Sequence, residues 1–266
     1  MSFIAVGVAI PKRGPRRFRS CVETSQPHPG AIGPNEEGLG RIDISLHATA
    51  TDRAAALDPA AIHTFAVDVS DRNADATTVA EVESTLGPIE HALACAGIAR
   101  VGPTLKVKHD DVDLMMRVNY GGVVNLIDAV LPRMLQRRRG ELAVLASATG
   151  LMAPRKMAAY GATKAAVIGY LQSLRYEVEG SGVRLACVCP AAVATPMAED
   201  FFADPAKRKR SMAISPKVVV AAMERGLHRG TFLVIPGVMG KSSVALQRFA
   251  PGLARRLQRS DRFDLV

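Results

Sequence analysis

From about Ala61 onward the chain alternates short apolar runs with longer amphipathic stretches. Short apolar runs suit strands buried on both faces, and amphipathic stretches between them suit helices that cover a sheet. Strands are expected over 62–67, 89–94, 142–146, 183–188 and 232–235, and helices over 75–86, 110–135, 158–179 and 216–227. Asp, Asn or Ser stands near the start of several of these helices and Gly near the end, where each satisfies backbone groups that a helix terminus leaves unpaired. The expected fold is α/β, a doubly wound parallel sheet. A chain of 266 residues with 48% hydrophobic content can bury such a core, and α/β folds of this size commonly form one domain, so a single domain over 1–266 is expected.

Open α/β sheets bind ligands outside the carboxyl ends of their strands. Asp68, Gly97, Ser147 and Pro190 each fall just past an expected strand and should face one crevice. The first fifty residues form an atypical segment: Pro11, Pro15, Pro27, Pro29 and Pro34 interrupt it, and helical periodicity is hard to find. Strands are expected there only over 2–10 and 42–51.

The net charge of +9 gathers at 12–19, 137–139, 207–210 and a basic tail over 242–266. Aromatic content is 5% and Trp is absent, which supplies few base-stacking platforms; solvated faces account for the charge, and no nucleic-acid partner is expected. No apolar run is long enough for a transmembrane segment, and Met1 to Gly30 lacks the apolar stretch of a signal peptide, so a cytoplasmic protein is expected. Cys187 and Cys189 sit two apart in an expected strand and point to one face. With Cys21 and Cys95 they read as reduced thiols, because no metal-ligand spacing surrounds them.

Tyr160 and Lys164 lie four apart in an expected helix, which puts both on one face. An unperturbed phenol with a pKa of about 10 is ionised only to about one part in a thousand at pH 7, so a base made of tyrosine needs a cation beside it. Lys164 can supply that charge. Ser147 follows a strand thirteen positions before Tyr160, so a loop can return the tyrosine to the serine hydroxyl, with a substrate oxygen between them. In oxidation Tyr160 would take the hydroxyl proton while hydride leaves the carbinol carbon, and in reduction it would return the proton.

Ser147, the run Tyr160-Gly161-Ala162-Thr163-Lys164, and Asn119 within Val118-Asn119-Tyr120-Gly121-Gly122 together resemble the short-chain dehydrogenases/reductases. The resemblance continues through Phe65 to Val69, Ala94-Cys95-Ala96-Gly97 and Pro190 to Met197, in that family's order. It implies a Rossmann-like fold, a nicotinamide cofactor and a small-molecule alcohol or carbonyl substrate. It also implies a catalytic tetrad in which Asn119 holds a relay water, Ser147 orients the substrate, Tyr160 is the acid/base, and Lys164 lowers the tyrosine pKa and contacts the cofactor ribose. Asp68 and Val69 would meet adenine, Ala94, Ala96, Gly97 and Pro190 would line the cofactor cleft, and Val193 and Thr195 would meet the carboxamide. Each residue also has a plainer reading: Asn119 satisfying nearby backbone, Ser147 a turn hydroxyl, Asp68 a helix cap.

The resemblance fails at the start, where the family carries a glycine-rich loop that lets pyrophosphate approach a helix N-terminus. The nearest candidate, Gly33 to Gly40, has the wrong first spacing, a rigid Pro34 and two carboxylates, Glu36 and Glu37, and does not qualify. Two readings account for it: a shifted reading frame or misassigned start, or a natural variant that holds its cofactor differently or not at all. The second makes a non-catalytic pseudoenzyme on the same fold the alternative function. Asp52 in Thr51-Asp52-Arg53 would accept from ribose hydroxyls and favours NAD, while Arg53 pulls toward NADP; the balance leans to NAD. Residues 196–212 are expected as a substrate lid. In the tail, Val244, Leu246, Phe249, Leu253 and Leu257 lie among basic residues, a pattern expected to dock on the protein body or on a partner subunit of a homo-oligomer, with weak peripheral contact with an anionic membrane as the lesser alternative.

Overall fold

The computed structural model describes residues 3–4, 65, 67–195, 197 and 213–259. Near the start, β1 (Phe3–Ile4) pairs antiparallel with β2 (Val67–Asp68). Among the described residues the main sheet has four parallel strands in sequence order: β3 (His91–Ala94), β4 (Gly140–Leu145), β5 (Val183–Val188) and β6 (Leu233–Val234). Period-two alternation sorts its side chains cleanly. Ala92, Ala94, Leu142, Val144 and Cys187 enter one buried cluster, while Leu93, Ala143, Ala186 and Val188 enter another on the opposite face.

Helices fill both sides. On the first face lie α1 (Arg72–Leu86), α3 (Gly122–Gln136) and α5 (Ala158–Val178), which contribute Val79, Val82, Leu126, Ile127, Val130, Met134, Val167 and Leu171. On the second, α6 (Pro216–His228) packs Val219, Met223 and Leu227 against the strands. Leu142, Met134 and Leu171 are fully buried, and each such side chain contributes roughly 1.5–3 kcal/mol relative to exposure. Helix α1 begins where Asp71 accepts from the backbone N–H groups of Asn73 and Ala74. The remaining α-helices among the described residues are α2 (His109–Met116), the single turn α4 (Thr149–Met152), α7 (Val238–Phe249) and α8 (Pro251–Gln258).

Each expected helix exists, with ends moved by a few residues, and the long helix expected over 110–135 is interrupted. Between α2 and α3 the backbone widens into a π turn over Arg117–Gly121. Apolar periodicity runs through such a turn nearly unchanged, so spacing alone does not reveal it. The strand expected over 232–235 is shorter, and the described part of the one expected over 62–67 forms β2. Of the expected strand over 2–10, only Phe3–Ile4 is described, and it pairs antiparallel. The expected strand over 42–51 and Asp52 lie outside the described residues, as do all of 196–212 except Met197 and the tail beyond Arg259.

At the amino ends of the strands sits a charged trio that the apolar pattern conceals. His91, Glu141 and Arg184 are register partners across β3, β4 and β5. His91 Nδ1 lies 2.6 Å from Glu141 Oε2, and Arg184 donates through Nε to Glu141 Oε1 at 3.0 Å. Burial alone would raise the Glu141 pKa, but the hydrogen bonds and charges of His91 and Arg184 hold it down to about 2.

Candidate active site

At the carboxyl end of β4 the chain leaves the sheet through Ala146, whose N–H donates to Val188 O, and reaches Ser147. The turn is held tightly: Ser147 Oγ donates to Thr149 Oγ1 at 2.8 Å and accepts from Thr149 N at 3.1 Å. The chain then passes through α4 and returns as α5, which delivers Tyr160 in its first turn. The side chains of Ser147 and Tyr160 are hydrogen-bonded, so the thirteen-residue return expected from sequence brings the two hydroxyls together.

One helical turn on, Lys164 is buried, with Nζ 5.9 Å from the Tyr160 ring centroid and donating to Leu145 O at 3.0 Å. Burial lowers the Lys164 pKa to about 8, with the thiols of Cys95, Cys189 and Cys187 pulling it back up. Burial also drives Tyr160 upward, to about 12, and the Ser147 hydrogen bond acts against this. The lowering expected from Lys164 does not act on Tyr160 in the protein alone: the ammonium faces the ring and bonds a carbonyl, while the phenol loses solvent.

Asn119 sits in the π turn and is completely buried. Its side chain grips the loop after β3 from both sides, accepting from Ile98 N at 2.8 Å and donating to Ile98 O at 2.9 Å. Its second amide hydrogen goes to Thr163 Oγ1 at 3.0 Å, and that hydroxyl donates to Tyr160 O at 2.8 Å. Asn119 does satisfy nearby backbone, and through Thr163 it also joins the helix that carries Tyr160 and Lys164. Thr163 escaped the sequence reading; a polar residue buried between Tyr160 and Lys164 was the available signal.

Gly97 closes the group from below. A Cβ there would stand 3.2 Å from Asn119 Oδ1 and 3.5 Å from Lys164 Nζ, so a side chain at this position would press on the Asn119 amide. Gly97 thus lies beside the Lys164 ammonium, just after Ala94 at the end of β3 and Ala96 in the following loop. That arrangement fits the ribose and nicotinamide end of a dinucleotide.

The other expected cofactor residues lie along the same edge. Asp68 Oδ1 accepts from Ser70 N and Ser70 Oγ, so this carboxylate orders its own turn. Val69 is buried beneath Gly122, and its carbonyl accepts from Asn125 Nδ2 at 2.8 Å. Pro190 is buried and its carbonyl accepts from Ala148 N, fixing the end of β5 beside Ser147. Val193 forms a parallel bridge with Ile214, and Thr195 N donates to Val193 O. A pyrophosphate-binding turn is not present among the described residues.

A tyrosine, lysine and serine gathered at the carboxyl edge of a doubly wound sheet define a class, and the chain belongs to it: the short chain dehydrogenase family, whose model matches residues 39–206, more than half of the protein. Oxidoreductase UcpA of Escherichia coli (strain K12) is 34% identical over 161 residues, covering 60% of this chain and 59% of that protein. The match thus spans less than two thirds of that relative. The inactive 2-(S)-hydroxypropyl-CoM dehydrogenase 2 of Xanthobacter autotrophicus is 34% identical over 65% of this chain and 77% of its own. Among solved structures, a short chain dehydrogenase from Burkholderia cenocepacia J2315 in complex with NADP shares the fold with a TM-score of 0.63 at 22% identity, covering 73% of this chain and 77% of that one.

Proposed function

We propose that the protein is an NAD(P)-dependent oxidoreductase of the cytoplasm, acting as a homo-oligomer, that interconverts a secondary alcohol and a ketone with Tyr160 as acid/base. The observation that carries this reading is the hydrogen-bonded pair Ser147–Tyr160 with buried Lys164 one turn along the same helix. A bound nicotinamide supplies the hydride acceptor or donor. Tyr160 and Lys164 would hold its ribose, Val193 and Thr195 its carboxamide, and Asp68, Val69, Ala94, Ala96, Gly97 and Pro190 the rest of the cleft.

In oxidation Ser147 Oγ orients the substrate hydroxyl and Tyr160 accepts its proton as hydride leaves the carbinol carbon; in reduction Tyr160 donates that proton to the nascent alkoxide. A phenol with a pKa near 12 gives up its proton reluctantly, so the Lys164 ammonium must favour the phenolate as charge develops. Both amide hydrogens of Asn119 are engaged. A relay water held by Asn119 would therefore donate to one of that residue's oxygens. The relatives named above include an NADP-bound structure, and the choice between NAD and NADP leans on Asp52, which favours NAD.

A non-catalytic protein on the same fold is the second reading, favoured by the unsuitable Gly33–Gly40 run and by a family match that begins only at residue 39. Titrating NADH and NADPH with the purified chain separates the two, with an enhanced and shifted nicotinamide fluorescence expected for one of them. Absence of binding for both at millimolar concentration establishes the second reading. Once a substrate is accepted, Tyr160→Phe should lower kcat by about 10²–10⁴-fold while cofactor affinity stays within a factor of a few. Undiminished turnover in that variant would remove Tyr160 from the mechanism.

A further inference from the structure

Helices α7 and α8 pack on one another, and α7 lies against α4, the turn that follows Ser147. Gly240 is buried against Ile235 and Ala191, where a Cβ would stand 3.2 Å from Ile235 Cγ2, and Arg155 Nη1 donates to Gln258 O at 3.3 Å. One side of the pair is thus settled on the protein body at the rim of the candidate crevice. The other side is not covered by anything described.

On that outer side α7 exposes Val238, Lys241, Ser242, Ala245, Arg248 and Phe249, at intervals of three and four that form one stripe. Val238 is 79% exposed and Phe249 80%, with the Arg248 guanidinium 6.0 Å from the Phe249 ring centroid. On α8, Leu253 is 51% exposed among Arg255, Arg256 and, just past its end, Arg259. From Arg225 to Ser260 the chain contains no Asp or Glu, and no carboxylate pairs with these five cations among the described residues. Single exposed apolar side chains are ordinary, but Val238, Phe249 and Leu253 stand together on one surface among cations with no carboxylate partner described.

We propose that α7 and α8 form a docking surface for an anionic lipid bilayer, with Phe249, Val238 and Leu253 entering the headgroup boundary and Lys241, Arg248, Arg255, Arg256 and Arg259 meeting lipid phosphates. Apolar anchors set among unopposed cations are the composition that holds a helix in the plane of a membrane surface. The attachment is peripheral, since no described helix is long and apolar enough to cross a bilayer. It does not depend on the proposed reaction. Because α7 touches α4, docking would place the crevice mouth near the lipid.

Co-sedimentation of the full chain tests this, with vesicles of phosphatidylcholine mixed with phosphatidylglycerol and with vesicles of phosphatidylcholine alone. Binding is expected to the anionic vesicles only and to weaken with salt. Replacing Arg255 and Arg256 together by Gln should reduce it by about 25-fold, about fivefold for each charge. Phe249→Ser should reduce it by at least about tenfold, with an unchanged thermal midpoint showing that the fold is intact. Equal binding to both vesicle types, or to neither, overturns the proposal. So does binding to an RNA oligonucleotide without binding to vesicles, or a dimer that Phe249→Ser splits while vesicles are ignored.

Discussion

Lys164 holds its proton only below about pH 8, because burial favours the neutral amine. If its ammonium supports the tyrosine, kcat/KM for the accepted alcohol should fall as pH rises through about 8, and Lys164→Arg should carry that limb upward, since guanidinium stays charged. A pH profile of both proteins checks this; a limb unmoved by the substitution assigns it to another group. Asp75, in the first turn of α1, obeys the opposite logic. Its side chain is 1% exposed and neither carboxylate oxygen has a hydrogen-bond partner. Burial, together with Asp68 and Asp71, raises its pKa from 3.8 to about 7. The folded protein thus keeps a proton that the unfolded chain gives up. The stability this contributes is complete below about pH 4 and is lost as pH rises through about 7, a difference on the order of 4 kcal/mol. Asp75→Asn should flatten that part of the curve when urea midpoints are compared across pH, and two parallel curves would refute the assignment.

The elements were legible in proportion to how far each is set by its own residues. Helix α5 declared itself through Val167, Leu171, Leu174 and Val178, all buried on one face, and β5 through the apolar run from Leu185 to Val188. The π turn did not, because Val118 and Val123 keep an apolar face on either side of Asn119 and the extra residue per turn leaves no compositional mark. The Glu141 trio was hidden for another reason: one acid in a strand looks misplaced until His91 and Arg184 arrive from neighbouring strands. At the site, Ser147, Tyr160 and Lys164 were read from spacing, chain return and the family motifs, whereas the grip of Asn119 on Ile98 is a contact between distant elements. Asn119→Ala would orphan the Ile98 N–H and carbonyl and free Thr163. It should lower stability by about 2–3 kcal/mol and loosen the loop that carries Gly97, visible as faster amide exchange at 95–98. Unchanged exchange there would mean that the loop is held by other contacts.

Across the whole molecule, one half of the doubly wound pattern was readable because strands β3 to β6 alternate regularly with the helices that cover them. Pro11, Pro15, Pro27, Pro29 and Pro34 break that rhythm at the other end, and without periodicity no pairing can be deduced. The sheet's centre also provides an internal gauge. Cys187 and Cys189 point into the first-face cluster with no exposed surface, their sulfurs 3.8 Å apart, while Cys95 is half-buried and packs against the cluster of the other face. A thiol reagent should modify Cys95 slowly, because burial raises its thiol pKa, and reach the β5 pair only when the sheet itself parts. Their labelling rate in urea should then follow global unfolding rather than local fluctuation, with peptide mass spectrometry telling the sites apart. The two sulfurs thus act as a clock that starts only when the core is breached.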